Sequence, residues 1–93
     1  MTYSSQKHSS FVLEPIGYKS VTQLPGIGAA AEQKLKDAGI EHVYVVLGQF
    51  LFLKKDEKTF KKWIQDIAGV NVKHQDDCFQ CLNEWCNQHL FND

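Results

Sequence analysis

Ninety-three residues make one domain, and a domain of that size buries only about 60 to 65 % of the surface its unfolded chain exposes, so a second copy or a partner is expected to add to its stability. Ten lysines, no arginine and eleven acidic residues leave a formal net charge of −1, which excludes a protein that coats nucleic acid by bulk charge and confines any DNA contact to a local patch. No apolar run approaches the ~18 residues of a membrane span, and the polar start lacks the apolar core of a secretory signal, so the chain is expected to be soluble and intracellular without direct membrane insertion. Without arginine the usual bidentate reader of guanine edges is missing, whereas lysines and backbone amides serve phosphates on any sequence.

The first marked element runs from Leu24-Pro25-Gly26-Ile27-Gly28-Ala29-Ala30-Ala31 to Gly39-Ile40. Pro25 fixes φ on entry, Gly26 and Gly28 permit backbone conformations and close approaches that a Cβ forbids, and Ile27 plugs the core between them. A helix over 29–38 should follow and stop at Gly39. Its first amides have no intrahelical partner and lie at the positive end of the helix dipole, which together make a phosphate-sized anion site. Leu24, Ile27, Leu35 and Ile40, with the small run after Gly28, fit a helix-hairpin-helix over about 21–39. The plainer alternative is an ordinary turn and helix.

The stretch 43–53 is ambiguous. Its β-branched and aromatic residues suggest a buried strand, but a lone strand has nothing to pair with, and a nearly all-apolar helix buried against a partner is the more consistent reading. Gly48 in its middle would cost about 1 kcal/mol relative to alanine, which the close approach of another backbone would justify. Next, Asp56 can cap a helix in which Phe60, Trp63, Ile64 and Ile67 recur at i, i+3, i+4 and i+7, with Gly69 as its stop. Lys54, Lys55, Lys58, Lys61 and Lys62 cluster on or before it and read as a solvated face ahead of a DNA contact. Ala68-Gly69-Val70-Asn71-Val72-Lys73 then echoes Pro25-Gly26-Ile27-Gly28-Ala29, with Asn71 in place of the second glycine. This is either a degenerate second hairpin over about 68–86 or a plain loop. Asp76 or Asp77 can cap a last helix carrying Phe79, Leu82, Trp85, Cys86, His89 and Leu90 as one stripe.

Cys78, Cys81 and Cys86 fall within nine residues, with His74 and His89 a turn to either side. A zinc site is the sharp reading, but neighbours on one helix cannot easily surround a tetrahedral ion, so reduced, partly buried thiols without metal are expected. No catalytic constellation stands out, and no cofactor is expected.

Ser5-Gln6-Lys7-His8, Glu14-Pro15-Ile16-Gly17, Gly26-Ile27-Gly28, Tyr44-Val45-Val46-Leu47-Gly48-Gln49-Phe50-Leu51, Leu53-Lys54-Lys55-Asp56-Glu57 and Cys78-Phe79-Gln80-Cys81-Leu82-Asn83-Glu84-Trp85-Cys86 resemble the barrier-to-autointegration factor family over nearly the whole chain. The resemblance implies a compact all-α, five-helix homodimer containing a helix-hairpin-helix, which bridges double-stranded DNA without sequence preference. It implies work in the nucleus, at chromatin and the nuclear envelope and also in the cytoplasm, with LEM-domain inner nuclear membrane proteins and lamins as partners and a role in nuclear assembly. Carried over, it puts DNA contacts at Gln6, Lys7, Gly26, Ile27, Gly28, Ala30, Ala31 and Lys73. It puts Gly48 at the dimer contact, Gln49, Phe52 and Lys54 near the LEM-domain groove, and phosphorylation at Ser4 and Ser5, where a phosphate would repel DNA and compete for Lys7.

The chain departs from the family pattern at several positions. Ser9 and Asp76 stand where the vertebrate pattern has arginine, Glu32 where it has a small residue, and Thr59 where a leucine lines the partner groove. Residues 91–93 extend past the usual end. Asp76 beside Asp77 puts negative charge near Lys73, which leaves a second function open: a divergent paralogue that forms homodimers or heterodimers, keeps protein partners and binds DNA weakly.

Overall fold

The computed structural model describes residues 6–91, so the expected phosphorylation sites Ser4 and Ser5 lie outside the described residues, as do residues 92–93. Among the described residues there are five α-helices: α1 (Gln6–Leu13), α2 (Ala29–Asp37), α3 (Val43–Phe52), α4 (Glu57–Ala68) and α5 (Val72–His89). A 3-10 turn, Val21–Gln23, precedes α2. The only extended pairing among the described residues is one antiparallel bridge between Ser20 and His42.

The ambiguous 43–53 stretch is helical. Val43, Val46 and Phe50 are fully buried on one face, while Tyr44, Val45, Gly48 and Phe52 are exposed on the other. Apolar residues thus surround a helix that the single chain covers on one side only, and with no strand to pair with, the helix is the form that satisfies its own backbone. Phe50 meets Phe60 of α4 and Phe79 of α5 edge-on, at centroid distances of 5.2 and 5.7 Å. Each fully buried phenylalanine of this kind contributes about 1.5–3 kcal/mol through burial.

The α4 boundaries follow the local chemistry. The Asp56 carboxylate accepts hydrogen bonds from the Thr59 backbone amide at 3.0 Å and the Thr59 hydroxyl at 2.6 Å, and these hold its carboxyl below the usual carboxylate range. Thr59, where the family pattern has leucine, is thus drawn into the cap. Gly69, at φ +66°, ends the helix in the left-handed conformation.

The start of α5 corrects the expected cap. Asn71, not Asp76 or Asp77, caps the helix, its side chain accepting from the His74 amide at 2.9 Å. Asp76 instead takes an ion pair from Lys61 of α4 at 3.1 Å, and Asp77 takes one from Lys73 at 3.3 Å. The buried face of α5 comprises Gln75, Cys78, Phe79, Cys81, Leu82, Trp85 and Cys86. His89 and Leu90 leave the expected stripe and are exposed.

Long-range bonds tie α1 to α5. His8 is buried, with Nδ1 3.1 Å from the Cys81 thiol and Nε2 3.3 Å from Glu84. The Trp85 indole donates to the Glu14 carbonyl at 2.8 Å, and His89 Nε2 bonds the Val12 carbonyl at 2.8 Å. Phe91 belongs to this end too. Its amide donates to the Cys86 carbonyl at 2.9 Å, and its ring receives the Lys55 ammonium at 4.4 Å.

Candidate nucleic-acid interface

The expected hairpin begins at Ser20, whose hydroxyl accepts from the Thr22 amide at 3.3 Å and starts the 3-10 turn. The chain then bends, with the Ile27 amide donating to the Leu24 carbonyl at 3.1 Å. At Gly26, φ is +98°, and an added Cβ would lie 2.5 Å from the His74 carbonyl oxygen and 2.8 Å from the Cys78 sulfur. Here glycine is required twice, for the backbone angle and for the approach of α5. The Cys78 thiol donates to the Pro25 carbonyl at 3.2 Å and pins the same junction. Its burial, with Asp77 adding to it and Lys7 opposing, pushes its pKa up to about 12, so it stays a neutral donor. Burial also raises the pKa of the Cys81 and Cys86 thiols, and all three cysteines are free.

Gly28 caps α2 with no side-chain bond. The helical ladder starts only at the Glu32 amide, which donates to the Gly28 carbonyl at 2.9 Å, so the amides of Ala29, Ala30 and Ala31 have no partner within the helix. Ala29 and Ala30 are exposed, while the Ala31 methyl is buried and offers only its amide to this end. Ile27 is 4 % exposed and anchors the turn in the core. The charge of Glu32 is answered one turn on by Lys36, at 2.9 Å.

The turn before α5 repeats these conformations. Gly69 is left-handed like Gly26, Val70 is buried to the same 4 % as Ile27, and Asn71 is an extended cap residue like Gly28. Between the two turns lies a depression of about 310 Å³ lined by Gly26, Gly28, the start of α2, Lys34, the 68–71 turn and His74. Lys34 reaches across it, its ammonium 2.9 Å from where a Cβ on Gly69 would sit. Among the described residues no carboxylate lines the depression. Two helix N-termini, a set of free amides and a lysine thus face one concavity, which suits an anion the size of a phosphate.

Lys7 is exposed on α1 and lines a smaller hollow with Thr22 and Gln23 of the 3-10 turn. Gln6 is exposed at the start of the same helix. Lys73 is exposed on the first turn of α5 with Asp77 as its partner. Asp76 is directed to α4, so it is Asp77 that offsets Lys73. Lys34 was not singled out from the sequence, and His74 only as a neighbour of the cysteines. The helical spacing Ala30 to Lys34 was the available signal for the lysine, while His74 required the true start of α5.

On the opposite kind of surface, Gly48 is exposed and nothing lies within 4 Å of a Cβ built there. Tyr44, Val45 and Phe52 share this face, at 47, 38 and 78 % exposure. Gln49 enters a groove of about 410 Å³ with Leu53, Lys58, Thr59, Lys62, Trp63 and Asp66. Phe52 and Lys54 are exposed but do not line it.

Fold and turn together define a small all-helical domain of the helix-hairpin-helix class. Residues 2–89 match the barrier to autointegration factor family, and the chain belongs to it. It is 53 % identical to barrier-to-autointegration factor A of Xenopus laevis over 90 residues, covering 97 % of this chain and 100 % of that one. It is 51 % identical to the Danio rerio factor over 90 residues, with the same coverage. Against the Homo sapiens factor it is 53 % identical over 87 residues, covering 94 % of this chain and 98 % of the relative.

Proposed function

We propose that this chain is a non-enzymatic, sequence-independent duplex DNA-binding and DNA-bridging protein of chromatin and the nuclear envelope. The observation that carries the reading is the convergence of the uncapped α2 N-terminus, the α5 N-terminus and Lys34 on one depression without a carboxylate lining it. Gln6, Lys7, Gly26, Ile27, Gly28, Ala30, Ala31 and Lys73 are the contacts carried over from the family, and Lys34 joins them from geometry. All of these groups suit phosphates and none is an arginine, the commonest reader of a guanine edge, so binding follows the backbone. Bridging requires two such surfaces. The exposed Gly48 face of α3 supplies the dimer contact, because a glycine that nothing in the single chain crowds costs helix stability without a return inside the domain. Gln49, Phe52 and Lys54 are carried over from the family as the residues near the LEM-domain contact, Gln49 alone of them lining the groove beside α3, and lamins complete the partner set. Phosphorylation of Ser4 and Ser5 would oppose DNA binding by charge.

A second reading is favoured by one observation: Lys73 is matched by Asp77, in a chain of net charge −1. On that reading the protein is a dimeric scaffold, with itself or a paralogue, that binds DNA weakly. Fluorescence anisotropy of the unphosphorylated protein on random-sequence duplexes at two salt concentrations, with mass from light scattering, separates the two. Salt-sensitive binding by a dimer, its log affinity falling with log salt at about −0.9 per phosphate neutralised, supports the DNA bridge. A dimer that stays unbound at low salt supports the scaffold.

A further inference from the structure

His74 is exposed on the first turn of α5 and lines the depression between the two turns. Its backbone is fixed from both sides. Its amide donates to Asn71 at 2.9 Å, and its carbonyl lies so close to Gly26 that a Cβ there would sit 2.5 Å away. Side chains at this position of a helix lean back toward its N-terminus, here the Asn71 end that borders the same depression.

We propose, building on the DNA-binding reading, that His74 is a proton-gated phosphate contact: once protonated it becomes a second cation in the depression beside Lys34, and duplex DNA is held more tightly as pH falls. The charged groups around it allow this. Across the depression the charge is Lys34 of α2, and the end of α4, Ala68 and Gly69, brings none. On α5 itself Lys73 is engaged by Asp77 and Asp76 by Lys61. From α1, Lys7 is close enough to the junction to bias the Cys78 thiol. Of these groups only Asp77 and Asp76 are acidic, and each already holds a lysine, whereas a ligand phosphate would bring an unpaired anion to the imidazolium. Histidine is the side chain that changes charge between pH 5 and 8. A phosphate oxygen beside it favours the charged form, so binding takes up a proton, and affinity rises as pH falls until the unbound protein carries that proton itself.

The test is an anisotropy titration of the full chain on short random-sequence duplexes at about pH 8 and about pH 6, over a range of salt. The unaltered protein is expected to bind roughly three- to tenfold tighter at the lower pH, with a salt slope steeper by about 0.9, the signature of one more phosphate neutralised. His74→Gln should abolish both changes. His74→Lys should bind independently of pH with the steeper slope throughout, and His42→Gln, remote from the depression, should keep the full pH response. An undiminished response in His74→Gln, or none in the unaltered protein, overturns the proposal. If the unaltered protein fails to bind at either pH in low salt, the DNA-binding reading falls first and takes this inference with it.

Discussion

The two turns that open α2 and α5 are built alike and finished differently. Both place a left-handed glycine, a buried β-branched residue and an extended cap residue in succession. At the first, the cap is Gly28 and leaves its amides open; at the second, the cap is Asn71 and its own side chain takes the His74 amide. Backbone conformation therefore creates the potential anion site in both places, and a single side chain decides whether the protein or a ligand occupies it. The glycines before the caps differ as well. Gly26 faces the rigid backbone of α5, whereas Gly69 faces the flexible tip of Lys34.

Four substitutions break or sharpen this contrast. The largest effect is expected from Gly26→Ala, which combines a disfavoured backbone angle with overlap against a carbonyl and a sulfur that cannot withdraw. A loss of about 3 kcal/mol or more is expected by urea denaturation. Next comes Gly28→Asp, where an added side chain meets open space and its carboxylate can cap α2 as Asn71 caps α5. DNA affinity should drop at least about tenfold in anisotropy, while stability holds or rises by about 0.5–1 kcal/mol, so a loss of binding cannot be put down to unfolding. Gly69→Ala should cost about 1–2 kcal/mol, the ordinary penalty of a left-handed alanine, because Lys34 can move aside. Smallest is Asn71→Gly, which removes the cap at a cost of a few tenths of a kcal/mol and opens the second turn. A modest gain in DNA affinity is the result that would make the two turns equivalent.

Much of this contrast is legible in the residues themselves. Gly-Ile-Gly before a run of alanines marks the first turn because every position has a local reason to be what it is, and the echo at Gly69-Val70-Asn71 is visible once the first is understood. Asp56 and Gly69 bracket α4 by the same local chemistry. The start of α5 was harder to read, since Val72, Lys73 and His74 are exposed and apolar periodicity begins only beyond Gln75; two aspartates in front of the apolar stripe imitated a cap. Lys34 and His74 share a depression only because Gly26 lets α5 come close, a tertiary fact that no periodicity encodes. The 43–53 helix was ambiguous for a related reason. Its apolar residues surround the helix, yet only one side packs in the domain and Tyr44, Val45 and Phe52 stay exposed on the other.

The seam between α1 and α5 has a consequence for how the molecule is made. His8, Val12 and Glu14 find Cys81, Glu84, Trp85 and His89 across 71 to 77 residues of chain. Contacts of such separation close late and slow the search for the native topology. During synthesis α1 meets its main packing partner only when α5 has emerged from the ribosome, so its buried face is completed last.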